Sequence, residues 1–329
     1  MKVDIGIFAH DEAAGIAAVV AAFLAQRRDG LDLRLLVLAN GCRDATAALA
    51  RAAGAEVADL PEGGKSRTWN RFVHDLSRPD AAMLVFADAD IELPEPDMVL
   101  RLVQGLAARP GLHVMNSRPV KDIVARPEGL SLQDRLIALA GGTLDDWRRA
   151  ICGQLYAMPA ARARAHWMPV GLPVEDGFLR AMVLTDALTL PEDLTRIDGA
   201  DVWHVYASER GLAALIRHQV RIVIGSAINL AVFDALRARP AETRAADLRA
   251  AAAQPGWLPA LLRARLPRWP YGFVPLHFLI KRSQNLLRDP RRLRSPKGVM
   301  LLVAGFGFDL IVYVLAQIRM ARGTGAGHW

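Results

Sequence analysis

Residues 84–94, LVFADADIELP, are the most informative segment of this chain for both architecture and chemistry. An apolar run ends in two carboxylates, Asp88 and Asp90, and Pro94 closes the loop soon afterwards. Paired acids at the end of a buried strand repel one another unless a cation lies between them. Carboxylate oxygens suit Mg²⁺ or Mn²⁺, which bind one or two carboxylates together with substrate phosphate oxygens. The alternative is an acidic turn that caps the next helix.

The composition is that of an ordinary globular protein. Of the 329 residues, 52% are hydrophobic and 23% are charged, which excludes disordered, collagen-like and small disulfide-rich proteins. The length allows one large domain or two modest ones. Cys42 and Cys152 are too few for a disulfide framework and indicate a reducing compartment. The segment MKVDIGIFAHDE lacks a charged leader followed by a long apolar core, so we expect no signal peptide.

In the first part of the chain, which includes residues 84–94, apolar runs alternate with amphipathic stretches. The predicted strands are 3–8, 33–38, 56–60 and 82–87, and the predicted helices between them are 12–26, 45–53 and 66–76. This alternation predicts an α/β fold, a largely parallel sheet with helices on both faces. Ligands of such sheets bind at the carboxyl ends of the strands. The segments at those ends are polar in every case, so we expect them to form one site.

The second part of the chain has a mixed pattern. Strands are predicted at 112–120, 151–158 and 202–206, and helices at 130–140, 177–183, 211–232 and within 236–254. From Pro255 on, aromatic residues alternate with Pro and Arg, a composition typical of a membrane interface. We therefore predict a catalytic domain over 1–235 and a basic, hydrophobic helical tail over 236–329.

Six segments in order resemble the family-2 glycosyltransferases of the GT-A fold. They are IGIFAHDEAAGI, LLVLANGCRDAT, GGKSRTWNRF, LVFADADIELP, GQLYAMP and LPVEDGFLR. The resemblance covers about residues 3–225. It implies a GT-A domain, a Rossmann-like sheet that binds a nucleotide-sugar.

The resemblance implies a role for each donor-side residue. Asp88 and Asp90 would hold Mg²⁺ or Mn²⁺ on the diphosphate of the nucleotide-sugar, with Lewis-acid assistance to the leaving group. His10 and Glu12 match the loop beside the nucleoside, and Lys65 matches a glycine-lysine turn. The family usually has an acid near Asn40 that accepts a hydrogen bond from uracil. Asn40 offers a donor and an acceptor, which leaves the base open.

Glu175 and Asp176 match the family's Glu-Asp pair, in which the second acid is the general base. A carboxylate within hydrogen-bond reach takes the proton of the attacking acceptor hydroxyl. This implies a single displacement with inversion. The alternative for VEDGFL is a helix start whose acids favour the helix dipole; both interpretations are compatible with one loop.

Three further residues are weaker candidates. His204 is a candidate third metal ligand, since some GT-A enzymes have a downstream histidine there, although a histidine in an apolar strand is more often a core residue. Arg217 and Arg221 are candidate contacts to the acceptor or its phosphate. RHQVRIV lacks the tryptophan of processive relatives, so polymer synthesis is not expected.

GGKS is not a phosphate loop, because Asp59 stands where the motif requires glycine.

The positive charge of the chain is concentrated at its end. Twelve of the 41 Lys and Arg residues lie from Leu261 on, against two of the 34 Asp and Glu residues. This distribution favours an anionic membrane surface as partner and argues against nucleic acid. Residues 298–318 are long enough to span a bilayer, with Asp309 near the middle as an unfavourable charge. A buried or dimer-forming helix is the alternative to a single transmembrane helix.

The sequence therefore predicts a metal-dependent glycosyltransferase at the cytoplasmic face of a bacterial inner membrane. It would move a single sugar from a nucleotide-sugar to a lipid-linked or glycan acceptor, with inversion. One alternative is a retaining GT-A transferase that acts on a small acceptor. The other is a membrane-bound scaffold whose active site has decayed.

Overall fold

The computed structural model describes residues 1–131, 146–266, 272–287 and 295–323. The helix predicted at 130–140 lies outside these residues from position 132 on, as do all four basic residues between 288 and 294. The predicted strands all form.

Eight strands and twelve helices make up the described part of the chain. The strands are β1 Lys2–Ala9, β2 Asp32–Asn40, β3 Glu56–Leu60, β4 Met83–Asp88, β5 Ile91–Glu92, β6 Val114–Lys121, β7 Leu155–Pro159 and β8 Ile197–Tyr206. The helices are α1 Ile16–Leu24, α2 Thr46–Ala52, α3 Lys65–Arg71, α4 Met98–Ala107, α5 Asp122–Ala125, α6 Ala160–Ala163, α7 Glu175–Thr185, α8 Leu212–Arg237, α9 Arg244–Ala253, α10 Trp257–Arg265, α11 His277–Leu287 and α12 Pro296–Ala321. Helix α3 continues into a π-helical turn, Phe72–Leu76.

The strands form one mixed sheet in the order β3-β2-β1-β4-β7-β6-β8-β5. Strands β3, β2, β1 and β4 are parallel, as predicted. Strand β7 runs antiparallel to both of its neighbours, and β5 runs antiparallel to β8. The prediction of a largely parallel sheet is correct, since β6 and β8 also pair in parallel and only the pairs that involve β7 or β5 are antiparallel. The reversed direction of β7 was not predicted, because alternation of strands and helices does not fix the direction of a strand that follows a long connection.

The sheet is covered on both faces by separate apolar clusters. Alternate residues of β4 supply the two sides: Leu84 and Phe86 belong to one cluster, and Val85 and Ala87 to the other. Helices α1 and α4 cover the second face. The first face carries α3, α7, α8, α10 and the carboxyl half of α12. Gly6 of β1 is required there, since a Cβ at this position would lie 2.9 Å from the ring of Phe72.

Two of the described helices, α8 and α12, are long and apolar enough to cross a membrane. Half of α8 is buried within the protein, whereas most of the apolar part of α12 is exposed. The residues of α12 that are buried include Val312, Ala316 and Met320, which share the core cluster of the first face.

Candidate active site

The polar loops meet at the carboxyl edge of the parallel strands. Phe8 of β1 is paired with Asp88 of β4, and Ala9 is paired with Ala39 of β2, so the segments that follow all emerge on this edge. Because β7 is antiparallel, its amino end arrives at the same place. The backbone N–H of Asp88 donates to the carbonyl of Gln154 at 2.8 Å. The segment before β7 therefore belongs to the site.

The loops after β1 and β2 are joined by hydrogen bonds. The ring Nδ1 of His10 lies 2.7 Å from the carbonyl oxygen of Asn40, and the N–H of Glu12 donates to the hydroxyl of Thr46 at 2.8 Å. The side chain of Asn40 is buried, and its Oδ1 accepts from the hydroxyl of Thr68 at 2.9 Å. The structure thus brings together His10, Glu12 and Asn40, three of the residues predicted on the donor side.

Lys65 links the two halves of the predicted site. Its Nζ lies 2.6 Å from Oδ1 of Asp88 and 3.3 Å from Oε1 of Glu175, and it donates to the carbonyl of Gly153 at 3.3 Å. Lys65 is the first residue of α3 and follows Gly64, whose φ of 124° suits glycine. Burial disfavours the ammonium charge, but Asp88 and Glu175 outweigh it and raise the pKa of Lys65.

The site has more negative than positive charge. Burial, opposed by Lys65, raises the pKa of Asp88 to about 6. Burial and the neighbouring Glu175 raise the pKa of Asp176. Burial and then the charges of Asp90 and Asp88 raise the pKa of Glu12. These shifts have the sign expected of carboxylates that lack compensating charge. A divalent cation on Asp88 and the exposed Asp90 fits this donor set, since it would supply that charge.

Asp176 borders a tight pocket with a cavity volume of about 10 Å³, which is room for about one water molecule. The pocket is lined by Phe8, Lys65, Trp69, Phe86, Gly153, Tyr156, Met168, Glu175, Asp176 and Leu179. Asp176 is half-buried and approaches Gly153 closely, because a Cβ on that glycine would lie 3.3 Å from Cβ of Asp176. Lys65 and the acid pair therefore face an apolar floor.

The floor is an aromatic stack that the sequence analysis did not identify. The ring of Phe86 lies between those of Trp69 and Tyr156, with centroid distances of 5.6 Å and 4.6 Å. Trp69 Nε1 donates to the hydroxyl of Tyr156 at 3.0 Å, and burial raises the pKa of that hydroxyl. The sequence signal was that Trp69, Phe86 and Tyr156 all lie within the segments GGKSRTWNRF, LVFADADIELP and GQLYAMP. The stack gives the charged groups above it a rigid support.

His204 is fully buried, and both of its ring nitrogens have hydrogen-bond partners. Nδ1 lies 2.9 Å from the hydroxyl of Ser117, and Nε2 lies 3.1 Å from Oε1 of Gln154. Burial lowers the pKa of His204 to about 3, so the ring is neutral. Gln154 also accepts the backbone N–H of Asp88 through its carbonyl. The described contacts make His204 a support for the strand next to Asp88, and a role as metal ligand would require Gln154 to release Nε2.

A different group of possible metal ligands comprises Asp11, Cys42 and Asp44, whose ligand atoms lie within 4.8 Å of one another. None of the three was predicted from the sequence as a metal ligand. Asp11 accepts the N–H of Arg43 at 2.7 Å, and Asp44 accepts that of Thr46 at 2.9 Å, beside the start of α2. Through these hydrogen bonds the acids hold the loops after β1 and β2 in place, so the group has a structural role.

Arg217 and Arg221 lie in the amino-terminal half of α8. The side chain of Arg217 is exposed. Arg221 lies near His218, where burial and this positive charge lower the histidine pKa. Their contact with an acceptor stays a prediction.

Comparison with known proteins gives matches among solved structures alone: no protein-family model and no curated protein matches. A mycobacterial protein is 26% identical over 69% of this chain and 74% of that chain, with a TM-score of 0.50. Glucosyl-3-phosphoglycerate synthase from Mycobacterium tuberculosis in complex with Mn²⁺, uridine-diphosphate-glucose and phosphoglyceric acid is 22% identical over 69% and 79% of the two chains, with a TM-score of 0.50. The same enzyme with Mn²⁺, uridine-diphosphate and glucosyl-3-phosphoglycerate is 23% identical, with a TM-score of 0.50 and the same coverage. These likenesses confirm the GT-A fold.

Proposed function

We propose that this chain is a metal-dependent glycosyltransferase of the family-2 type, which moves a single sugar from a nucleotide-sugar to a lipid-linked or glycan acceptor. One observation supports this most strongly: Lys65 contacts both Asp88 and Glu175. The predicted donor site and the predicted base are therefore adjacent, as group transfer between two bound substrates requires.

On the donor side, His10, Glu12 and Asn40 would contact the nucleoside. Asp88 and Asp90 would hold the divalent cation, which when bound neutralises the charge of the departing nucleoside diphosphate. Lys65 is within reach of Asp88 and would add a second positive charge beside the same phosphates. The solved synthase complexes contain Mn²⁺ with uridine-diphosphate-glucose on the same fold, which is consistent with this assignment.

On the acceptor side, Asp176 would be the general base. Glu175 is held by Lys65, whereas no cation in the described part of the chain pairs directly with Asp176, which accepts the N–H of Gly177 at 2.6 Å. Its raised pKa makes it a better proton acceptor than an ordinary aspartate. The acceptor oxygen bonds to the anomeric carbon as its proton passes to Asp176. The bond from that carbon to the diphosphate breaks on the opposite side, which inverts the configuration.

Thermal unfolding with nucleotides tests the donor site. A nucleoside diphosphate present at about 100 times its dissociation constant adds about 2.7 kcal/mol to the free energy of unfolding. We expect this gain with one base, only with Mn²⁺ or Mg²⁺, and not in Asp90→Asn. Asp29→Asn is the matched control, because Asp29 is an exposed acid in the loop before β2, at the opposite edge of the sheet. A gain that is equal in Asp90→Asn and the wild type contradicts the metal assignment.

The reaction product distinguishes the proposed inverting transferase from its alternatives, a retaining transferase and a decayed scaffold. The solved synthase complexes hold phosphoglyceric acid, a small phosphorylated molecule, and a small acceptor is what the retaining alternative proposes. The anomeric configuration of the product, measured by NMR, distinguishes retention from inversion. Nucleotide binding without turnover of lipid-linked, glycan or small acceptors would instead support a decayed scaffold. For a lipid-linked acceptor, we place the protein at the cytoplasmic face of the inner membrane.

A further inference from the structure

Helix α12 has one face against the protein and one apolar face in solvent. The exposed large side chains, between 40% and 66% accessible, are Val299, Met300, Val303, Phe306, Leu310, Ile311, Val314 and Ile318. At 100° per residue they fall within an arc of roughly 140° along the whole helix. A continuous apolar surface of this kind is rare on a soluble monomer and indicates an interaction site.

Three polar residues of α12, Asp309, Tyr313 and Gln317, lie on its protein side. Gln317 is buried; its Oε1 accepts the N–H groups of Phe273 and Val274, and its Nε2 donates to the carbonyl of Val274 at 2.9 Å. The hydroxyl of Tyr313 donates to the same carbonyl at 3.0 Å. Asp309 is also buried. The carboxyl half of α12 is therefore fixed to the protein by one face, and its other face has no polar group that needs water.

We propose that α12 lies in the plane of an anionic membrane surface, with its exposed apolar face among the lipids, and does not cross the bilayer. The buried face of α12 packs in the same core cluster as α8 and the sheet. A spanning α12 would draw these charged, folded elements into the hydrocarbon region, where charge is costly. In-plane binding places only the apolar arc in lipid. This inference is independent of the proposed reaction.

Charge favours a membrane over a second copy of this chain. Among the described residues from Trp257 on, the one carboxylate is the buried Asp309, whereas Arg263, Arg265, Lys281, Arg319 and Arg322 are exposed. Such a surface attracts anionic headgroups. A second copy of this region would supply the same excess of positive charge and no exposed carboxylate among the described residues to balance it, which opposes association.

Binding of the purified full chain to preformed vesicles tests the proposal. We expect the wild type to co-sediment with phosphatidylcholine vesicles that contain phosphatidylglycerol, less with phosphatidylcholine alone and less at high salt. The double variant Val303→Asp, Ile311→Asp should lower the partition coefficient at least about tenfold, since it places two charges on the lipid face. Leu190→Asp is the matched control, because Leu190 is 50% exposed on a loop outside α12. Unchanged nucleotide-free melting of each variant shows that it is folded.

Two results overturn the proposal. In the first, the double variant binds vesicles as well as the wild type. In the second, the wild type does not bind, and it self-associates in sedimentation through a contact that the double variant loses; the occupant of the face is then a second copy.

Topology is tested in cells with cysteine variants at the two ends of α12, Ser295→Cys and Arg322→Cys. A membrane-impermeant maleimide should label neither position in intact spheroplasts and both after lysis, measured against the wild type with its native Cys42 and Cys152. Labelling of one end from outside shows that α12 spans and overturns the in-plane arrangement.

Discussion

Asp88→Asn should stabilise the protein while it abolishes metal-dependent function. The pKa of Asp88 is about 6 in the folded chain against 3.8 for an ordinary aspartate, and burial is its main cause. A raised carboxyl pKa means that ionisation is less favourable in the folded state than in the unfolded chain. Ionisation of Asp88 therefore lowers the free energy of unfolding by its full amount above the pKa of the folded state. This loss declines as the pH falls through that pKa, and it is absent below the pKa of Asp88 in the unfolded chain. Asparagine resembles the protonated acid and carries no such penalty.

The two pKa values correspond to about 3 kcal/mol in the free energy of unfolding. The folded value already includes the attraction of Lys65 at 2.6 Å. Because the side chain of Asp88 is 21% exposed, solvent screens part of the penalty, and we expect a gain of about 1–2 kcal/mol at pH 7.5. For a chain of this size the gain raises Tm by a few degrees.

Urea unfolding in the presence of a chelator, at pH 7.5 and at pH 4, measures the free energy of unfolding of the wild type and of Asp88→Asn. The difference between the two values is the gain. The variant should be more stable at pH 7.5, and the difference should shrink at pH 4, where the wild-type acid is protonated. Addition of Mn²⁺ with nucleotide should stabilise the wild type alone. A variant that is less stable at pH 7.5 would refute the reasoning, because Asp88 would then be a structural partner of Lys65.

Three further predictions concern the same site. Asp176→Asn should lower kcat about 10²–10⁴-fold and leave nucleotide binding unchanged in thermal shift, as expected for loss of a general base; equal loss of binding would contradict that role. Lys65→Met should raise the pKa of the neighbouring carboxylates further, so metal-dependent stabilisation should begin at a higher pH than in the wild type; an unchanged pH profile would show that Lys65 does not act on them. Gly225→Ala should displace Val174, whose Cγ2 would lie 2.3 Å from the new Cβ, and reduce turnover at least about tenfold. Gly307→Ala, with no atom within 4 Å of its Cβ position, should leave turnover unchanged.

The sequence was sufficient to predict which side chains share the carboxyl edge of the sheet. Strand-end residues such as Asn40 and Asp88 are placed by the parallel pairing of β1 with β2 and β4, and that pairing follows from the alternation of strands and helices. The contact between Lys65 and Asp88 joins the start of α3 to the end of β4, and both were predicted on this basis to lie at that edge. Local patterns suffice here because each loop directly follows or precedes a recognisable apolar run.

Features that depend on long-range packing were not predictable from those patterns. The direction of β7 brings Gly153 and Gln154 to the site, yet the residues of this strand alternate no differently from those of a parallel one. His204 is held by Ser117 and Gln154, which are 87 and 50 positions away in sequence. The apolar composition of α12 predicted a membrane helix, but which arc of it is exposed depends on its packing against α8 and α11.

Helix α8 connects the surface of α12 with the acid pair. On one side α8 packs against α12 in the core cluster that also holds the sheet. On the other side Asn229 donates to the carbonyl of Val174 at 2.9 Å, and Gly225 allows Val174 to pack against the helix backbone. Val174 immediately precedes Glu175 and Asp176, so the position of the proposed base depends on α8. Because one helix supports both features, the apolar face of α12 is held in a fixed relation to the acceptor side of the pocket. Under the two proposals, a lipid-linked acceptor would therefore reach Asp176 from the membrane surface on which α12 is proposed to lie.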